Sequence, residues 1–295
     1  MEICMSQTLT GSRTADMTMY RSEYIAGFER GGSLLRNFVT TEYMKQGASI
    51  VFLVADSGSA TAVTRGSDGL YPARVNNNNQ TTLTLVDKTD LPRMNNFDIF
   101  KSQGPQREIM FKTSQSVLGR SVDDQILTAL DTGTLGTSSS GSADALGLFF
   151  HAMTILGSNN AGVVQKGDLT AVVSQGFYAN MLKTKEFANI EHAEVKRLVN
   201  GIPTPMTVDQ LAGVNILVHN GISGVGTTAE KCFMFHKNAV GHAIDKESFA
   251  PEFGYNAEQN YSWVRCSAYM AASKLQNTGI VQMTHDASSY ASATV

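Results

Sequence analysis

The stretch that most constrains this chain runs from Ala48 to Phe100. The apolar and β-branched runs "ASIVFLV" and "TTLTLV" lie on either side of a polar centre holding Gly66, Asp68, Gly69, Pro72 and the four asparagines Asn76 to Asn79. Such composition predicts two strands joined by a long excursion. About fifteen to twenty polar residues without a period are uncommon inside a compact domain, where they mark either a functional or a disordered segment. The segment is therefore expected to be a projecting hairpin whose tip, "TRGSDGLYPAR", meets another surface, with Asn76 to Asn79 in a polar turn.

The residues before this stretch mix Ser, Thr, Met and Arg with short apolar clusters and the pair Gly31 and Gly32, as expected of an arm ordered by a partner surface. After Pro105 the period becomes helical. Leu118, Val122, Ile126 and Leu130 recur every four residues, with Met110 and Val117 near the same stripe. Gly133 ends this helix, and "GTLGTSSSGSADALG" reads as a flexible linker. Beyond it, "DLTAVVS", "GVNILVHN" and "KCFMFHK" read as strands, "QGFYANMLKTKEF" as a helix and "VNGIPTPMTVDQ" as a loop. Two final strands, "YSWVRCSAYMAAS" and "GIVQMTH", follow, the first with Tyr261, Trp263, Arg265 and Tyr269 on one face. The organisation is α+β without internal repeats.

Composition narrows the function. With 295 residues, 42% of them hydrophobic, the chain buries a substantial core, and a net charge of −3 gives no general attraction to nucleic acid or anionic lipid. No apolar run is long enough to span a membrane and the first residues lack secretory organisation, so a cytoplasmic protein is expected. Cys4, Cys232 and Cys266 fit neither a disulfide framework nor a zinc ribbon, and the last two are expected to be buried thiols.

No catalytic or binding motif is complete. In "GVGTTAEKCFMFHKNAVGHAI" Gly226 is followed by Thr227, Thr228 and Ala229 and then a strand, so the lysine and helix of a phosphate loop are missing and a plain turn is expected. His236 and His242 are spaced for neither a helical zinc pair nor a finger, and histidines paired to backbone or exposed are expected. Asp123 and Asp124 point about 100° apart on a helix, as solvated helix-face carboxylates would. Ser139 and Ser140 lie in the linker, no nucleophile elbow is present, and Trp263 is expected in a core or subunit boundary. No catalytic, cofactor-binding or metal site is assigned.

What remains is an order of parts, and that order carries a resemblance. "NNFDIFKSQGPQREIMFKTSQSVLGRSVDDQILTAL", then "HKNAVGHAID", then "YSWVRCSAYMAASKLQNTGIVQMTHD" resemble, in sequence and spacing, the major capsid proteins of tailed bacteriophages with the HK97-type fold, closest to the coat proteins of short-tailed phages.

The resemblance implies an N-terminal arm (1–46), an extended loop with adjoining strands (47–104), a spine helix and linker of a peripheral domain (105–143), an axial domain (144–250) and returning peripheral strands with a C-terminal tail (251–295), residues 258–285 completing the peripheral sheet. It implies a non-enzymatic shell protein that assembles with itself into pentamers and hexamers in the host bacterial cytoplasm and resides in the virion. Expected partners are a separate scaffolding protein, since only forty-odd residues precede the hairpin, a portal, a decoration protein, and packaged DNA held non-specifically, with no membrane. The hairpin-tip residues Arg65, Gly66, Asp68 and Arg74 are the expected intersubunit contact. Two rivals make different predictions: an enzyme built around Cys232, His236 and His242 needs a metal or a depressed thiol pKa, and an encapsulin-type compartment shell needs a cargo peptide.

Overall fold

The computed structural model describes residues 32–56, 60–71, 73–74, 77–101, 106–138, 145–159, 168–183, 210–245 and 250–290. The strands among them are β1 (Thr40–Met44), β2 (Ser49–Asp56), β3 (Asn77–Thr84), β4 (Val86–Asp90), β5 (Arg93–Asn95), β6 (Leu135–Ser138), β7 (Leu169–Val173), β8 (Gln210–Leu211), β9 (Val214–Val218), β10 (Glu230–His236), β11 (Val240–Asp245), β12 (Pro251–Asn256), β13 (Tyr261–Lys274) and β14 (Ile280–His285). The helices are α1 (Asn96–Lys101), α2 (Gln106–Asp131), α3 (Ala145–Ser158) and α4 (Gln175–Lys183).

Two six-stranded sheets and a two-stranded ribbon organise the described residues. The first sheet runs β1-β11-β13-β12, with β4 and β5 also paired to β13; the second runs β6-β14-β10-β7-β9-β8; β2 and β3 form the ribbon. Three parallel pairs, β1 with β11, β6 with β14 and β7 with β9, sit among antiparallel ones. This mixture is the α+β organisation expected.

The helical stripe explains how the first sheet is covered. Leu118, Val122, Ile126 and Leu130 are all buried on α2, which lies against β13. Each such side chain contributes about 1.5–3 kcal/mol by leaving water. β13 answers with alternation: Ser262, Val264, Cys266, Ala268 and Met270 are buried, while Tyr261, Trp263, Arg265 and Tyr269 share the more exposed face. Val117 departs from the expectation, lying off the stripe and exposed, because one helical step from Leu118 turns it away from the sheet. The second sheet is covered by α3, on which Leu148, Phe149, Ala152 and Leu156 are buried; α4 packs beside α3, with Met181 buried and the Phe177 ring 5.0 Å from that of His285 in β14. Ser174 caps α4, its Oγ accepting from the Phe177 amide at 3.0 Å.

Four expectations are corrected by pairing that lies far apart in sequence. The end of the arm is part of the body: Leu35 and Val39 are fully buried and β1 pairs with β11. The start of the linker is β6, an edge strand paired in parallel with β14. Asn77, Asn78 and Asn79 belong to β3, paired with Asp56, Ala55 and Val54, instead of forming a turn. The sheets also ignore the boundary at 250/251. β11 joins the sheet of β13, and β14, expected in the peripheral sheet, joins the sheet of β10. Expectations on Cys4, Pro105, Ser139, Ser140 and the loop holding Pro203 and Pro205 lie outside the described residues.

Candidate functional site

The β2–β3 ribbon presents two unlike faces. On one, Phe52 and Leu83 are buried against Ala243 and Ala271, with Met44, Ile50, Leu85 and Leu275 around them, which ties the base of the hairpin to the first sheet. On the other, Val51, Leu53 and Ala55 stand in the open opposite Thr82, Gln80 and Asn78, and Leu53 is 72% exposed. A strand covered on one side ordinarily alternates apolar and polar residues, whereas "IVFLV" is apolar at every position.

The tip is a constructed turn. Gly69 donates to the Gly66 carbonyl at 3.0 Å and Gly66 to the Leu70 carbonyl at 3.2 Å. Gly69 has φ +81°, a conformation that favours glycine, and a Cβ at Gly66 would run into the Asp68 carboxylate. The Arg65 Nε donates to the Gly69 carbonyl at 2.6 Å, and Asp68 Oδ1 accepts from the Leu70 amide at 3.2 Å. Arg74 is exposed and lies outside regular secondary structure, before β3. The turn thus brings Arg65, Gly66 and Asp68 together, as the sequence suggests. Sequence reasoning passed over Leu70 and Tyr71, which are 69% and 79% exposed; their apolar character within "SDGLYP" was the available signal.

A second polar centre lies inside the body. Asp123 is fully buried, contrary to the solvated carboxylate expected, and accepts from Ser33 Oγ at 2.5 Å, the Leu34 and Leu35 amides at 3.1 Å each, and His219 Nε2 at 3.2 Å. The Gly221 amide donates to His219 Nδ1 at 2.9 Å, which assigns the ring proton to Nε2. Burial pushes the Asp123 carboxyl up, but hydrogen bonds from His219, Ser33 and the two amides outweigh it and hold it below the ordinary carboxylate value. With both nitrogens of His219 engaged, the Ser33–Asp123–His219 set fastens the chain before β1 to α2 and has no free base to offer. Asp124, one residue on, is exposed as expected.

The glycine-rich loop between β9 and β10 is a turn. Gly224 and Gly226 have φ +79° and +75°, Thr227 closes onto the Gly224 carbonyl at 3.0 Å, and the Gly226 amide points to Glu230 Oε2 at 3.4 Å. Lys231 reaches Asp131 at 2.6 Å, so its ammonium does not serve the loop. Cys232 and Cys266 are buried. Burial and the nearby Glu230 carboxylate raise the Cys232 thiol well above its ordinary value, and burial with Asp90 raises Cys266, opposite to what a nucleophile requires. His236 Nδ1 accepts from the Asn238 amide at 3.2 Å, the backbone pairing expected. His242 departs from it: the ring is fully buried with no hydrogen-bond partner for either nitrogen among the described residues, and burial, with Arg36 nearby, lowers its pKa to about 4. Among the described residues no group of three or more His, Cys, Asp or Glu could hold a metal ion. No described helix is long and apolar enough to cross a membrane. A groove of about 480 Å³ between α2, β4 and the end of β13 holds Lys274, whose Nζ donates to the Thr132 carbonyl at 2.7 Å and so caps the end of the helix.

The family model described as phage capsid protein matches residues 13–287. Among solved structures, that of Mycobacterium phage Che8 is 15% identical with a TM-score of 0.70, the match covering 92% of this chain and 98% of that one. The capsid of Ralstonia phage GP4 is 9% identical with a TM-score of 0.70, covering 95% and 98%. The capsid of a native GTA particle is 10% identical with a TM-score of 0.66, covering 94% and 97%. No curated protein matches the chain. At such identities the structures speak for the fold, which is the HK97-type capsid fold expected, and the family match speaks for the function, favouring a capsid over a compartment shell or an enzyme. The chain belongs to the phage capsid protein family and is a structural major capsid protein that assembles with itself into the shell of the virion.

Proposed function

We propose that the β2–β3 hairpin is the element by which one copy of this capsid protein holds the next, with Arg65, Gly66, Asp68 and Arg74 of the tip in the intersubunit contact. The observation that carries this reading is the uncovered apolar face of the ribbon, Val51 and Leu53, on a segment whose other face is anchored to the body. An exposed two-stranded ribbon with apolar residues on both faces is a liability on a monomer and is resolved when a neighbour covers it.

In the same reading the sheet built on β13 with α2 is the peripheral domain, and the sheet built on β10 is the axial domain, whose loops meet around pentamer and hexamer axes. One chain that fills both pentamers and hexamers needs its curvature directed. A separate scaffolding protein and a portal therefore belong to the proposal, as do a decoration protein, assembly in the host bacterial cytoplasm and non-specific contact with packaged DNA. The net charge of −3 suits the last of these, since it offers no general attraction to phosphate.

Replacing Gly66–Ala73 by a short glycine linker tests the role of the hairpin. Calorimetry is expected to find the thermal unfolding of the subunit nearly unchanged, because an exposed tip contributes little to the core. Sedimentation and electron microscopy are expected to find shell yield sharply reduced. Shells of normal yield would remove the hairpin from the contact, and a collapsed melting temperature would place the tip in the core of its own subunit.

A further inference from the structure

We infer that the hairpin tip engages its neighbour through an apolar knob, Leu70 and Tyr71 with Val63, received by exposed aromatic side chains on a second copy of this chain, while Arg65 and Asp68, within the same contact, act on the tip itself as braces. The inference rests on the reading of the hairpin as the intersubunit element and adds the chemistry of its contact.

The two charged groups turn inward. Arg65 Nε is directed to the Gly69 carbonyl at 2.6 Å, and its guanidinium lies 4.9 Å from the centre of the Tyr71 ring. The Asp68 carboxylate holds the Leu70 amide at 3.2 Å, the residue next to that tyrosine. With Gly66 and Gly69 hydrogen-bonded across the same turn, these contacts fix the direction in which Leu70 and Tyr71 leave the backbone. They leave it into solvent: Leu70, Tyr71 and Val63 are 69%, 79% and 72% exposed. A lone exposed leucine needs no explanation, but a leucine and a tyrosine held outward by a turn, with a guanidinium against the ring, form a preorganised anchor. An anchor of this kind loses little conformational freedom on docking, and rigid aromatic anchors carry much of the affinity of interfaces.

The occupant is a second copy because a capsid shell repeats this chain and because its body offers the complementary chemistry. Phe97, Phe100, Phe253 and Tyr255 are each more than half exposed. They flank the start of β13: α1 follows β5, β5 pairs with Tyr261–Trp263 and β12 with Tyr261–Cys266, while the Asn260 carbonyl accepts from the Asn96 amide at 3.1 Å and its Oδ1 from Tyr255 Oη at 3.1 Å.

The test uses the full chain under conditions in which the wild type forms shells, with yield read by sedimentation and electron microscopy and folding by thermal unfolding. Leu70→Ser with Tyr71→Ser is expected to keep the wild-type melting temperature and lose about tenfold or more in shell yield. Asp68→Asn with Arg74→Gln, which removes charge while keeping the acceptor at 68, is expected to stay within about twofold of wild type. Arg65→Gln is expected to speed hydrogen exchange at the Leu70 and Tyr71 amides; unchanged exchange there would overturn the brace. Normal shells from the Leu70/Tyr71 variant would overturn the knob, and if the glycine-linker variant still failed to assemble, the role of the hairpin would stand without it. Loss of shells in the Asp68/Arg74 variant alone would make the contact electrostatic, and a lowered melting temperature in the Leu70/Tyr71 variant would assign the knob to its own subunit.

Discussion

The body around α2 and the β2–β3 hairpin follow opposite rules about what they leave uncovered. In the body the stripe from Leu118 to Leu130 is closed by β13, and even the buried carboxylate of Asp123 finds four donors within its own chain. In the hairpin the base is closed in the same way by Phe52 and Leu83, but Val51, Leu53, Leu70 and Tyr71 are left to solvent. The α2 stripe is closed within the subunit, whereas on the proposal above the hairpin is closed by a neighbour. Substitutions should therefore separate folding from assembly according to which region they touch.

The largest effect is expected from Ile126→Asp, which places a carboxylate without a partner at a fully buried position of α2. The cost is several kcal/mol, on the order of the most damaging core substitutions, and expression should yield insoluble protein. A soluble, assembling variant would break the comparison at its strongest point, since the body would then tolerate what only an open surface should.

Next is Asp123→Ala, which leaves Ser33, Leu34, Leu35 and His219 without their acceptor and is expected to lower subunit stability by about 3 kcal/mol or more. Hydrogen exchange should quicken first in residues 33–44, the segment that Asp123 fastens to α2. The pH dependence has a definite sign. Because the folded carboxyl lies below 3.8, its contribution is complete above that pH and is lost as pH falls through the lower folded value. The variant should lose this part of the acid slope.

His242 gives a second titration in a different window. Its imidazole takes a proton near pH 6.5 when unfolded but only at about 4 when folded, so between these values the unfolded chain binds more protons. Stability should fall by about 3 kcal/mol as pH drops from 6.5 to 4, and His242→Met should flatten thermal unfolding across that interval. The hairpin, which has no such buried group among its described residues, should add nothing to this slope.

The smallest effect on folding is expected at Leu53→Ser, within about 0.5 kcal/mol, because the side chain is already in water in the subunit. Its effect should appear in shell yield. A melting temperature lowered as far as by Asp123→Ala would show that the ribbon's outer face is covered within the subunit.

How much of this was legible in advance depended on the range of the interactions. Elements set by local periods could be read directly: the four-residue stripe of α2, the alternation of β13, and the two apolar runs of the hairpin with glycines at its tip. The family resemblance, carried by the order of these parts, supplied the fold. Elements set by distant partners could not be read. Asn77 to Asn79 look like a turn until Val54 to Asp56 pair with them, and "LGTS" looks like a linker until β14 lies alongside. β11 and β14 exchange sheets across a boundary that contiguous reading would keep, because a strand's partner is chosen in space.

The candidate site divides in the same way. Gly66 and Gly69 announced a turn through their residue type, but the inward direction of Arg65 and Asp68 and the outward direction of Leu70 and Tyr71 depend on the path of the backbone. Asp123 is the clearest case. By sequence it is one of two adjacent acids on a helix, equivalent to Asp124. The fold buries one and exposes the other because only the first faces Ser33 and His219, which lie 90 and 96 residues away. The sequence by itself determined the local periods and their order. Tertiary structure alone decided which polar groups were enclosed and which apolar ones were left exposed, because burial depends on what the rest of the chain brings to each face.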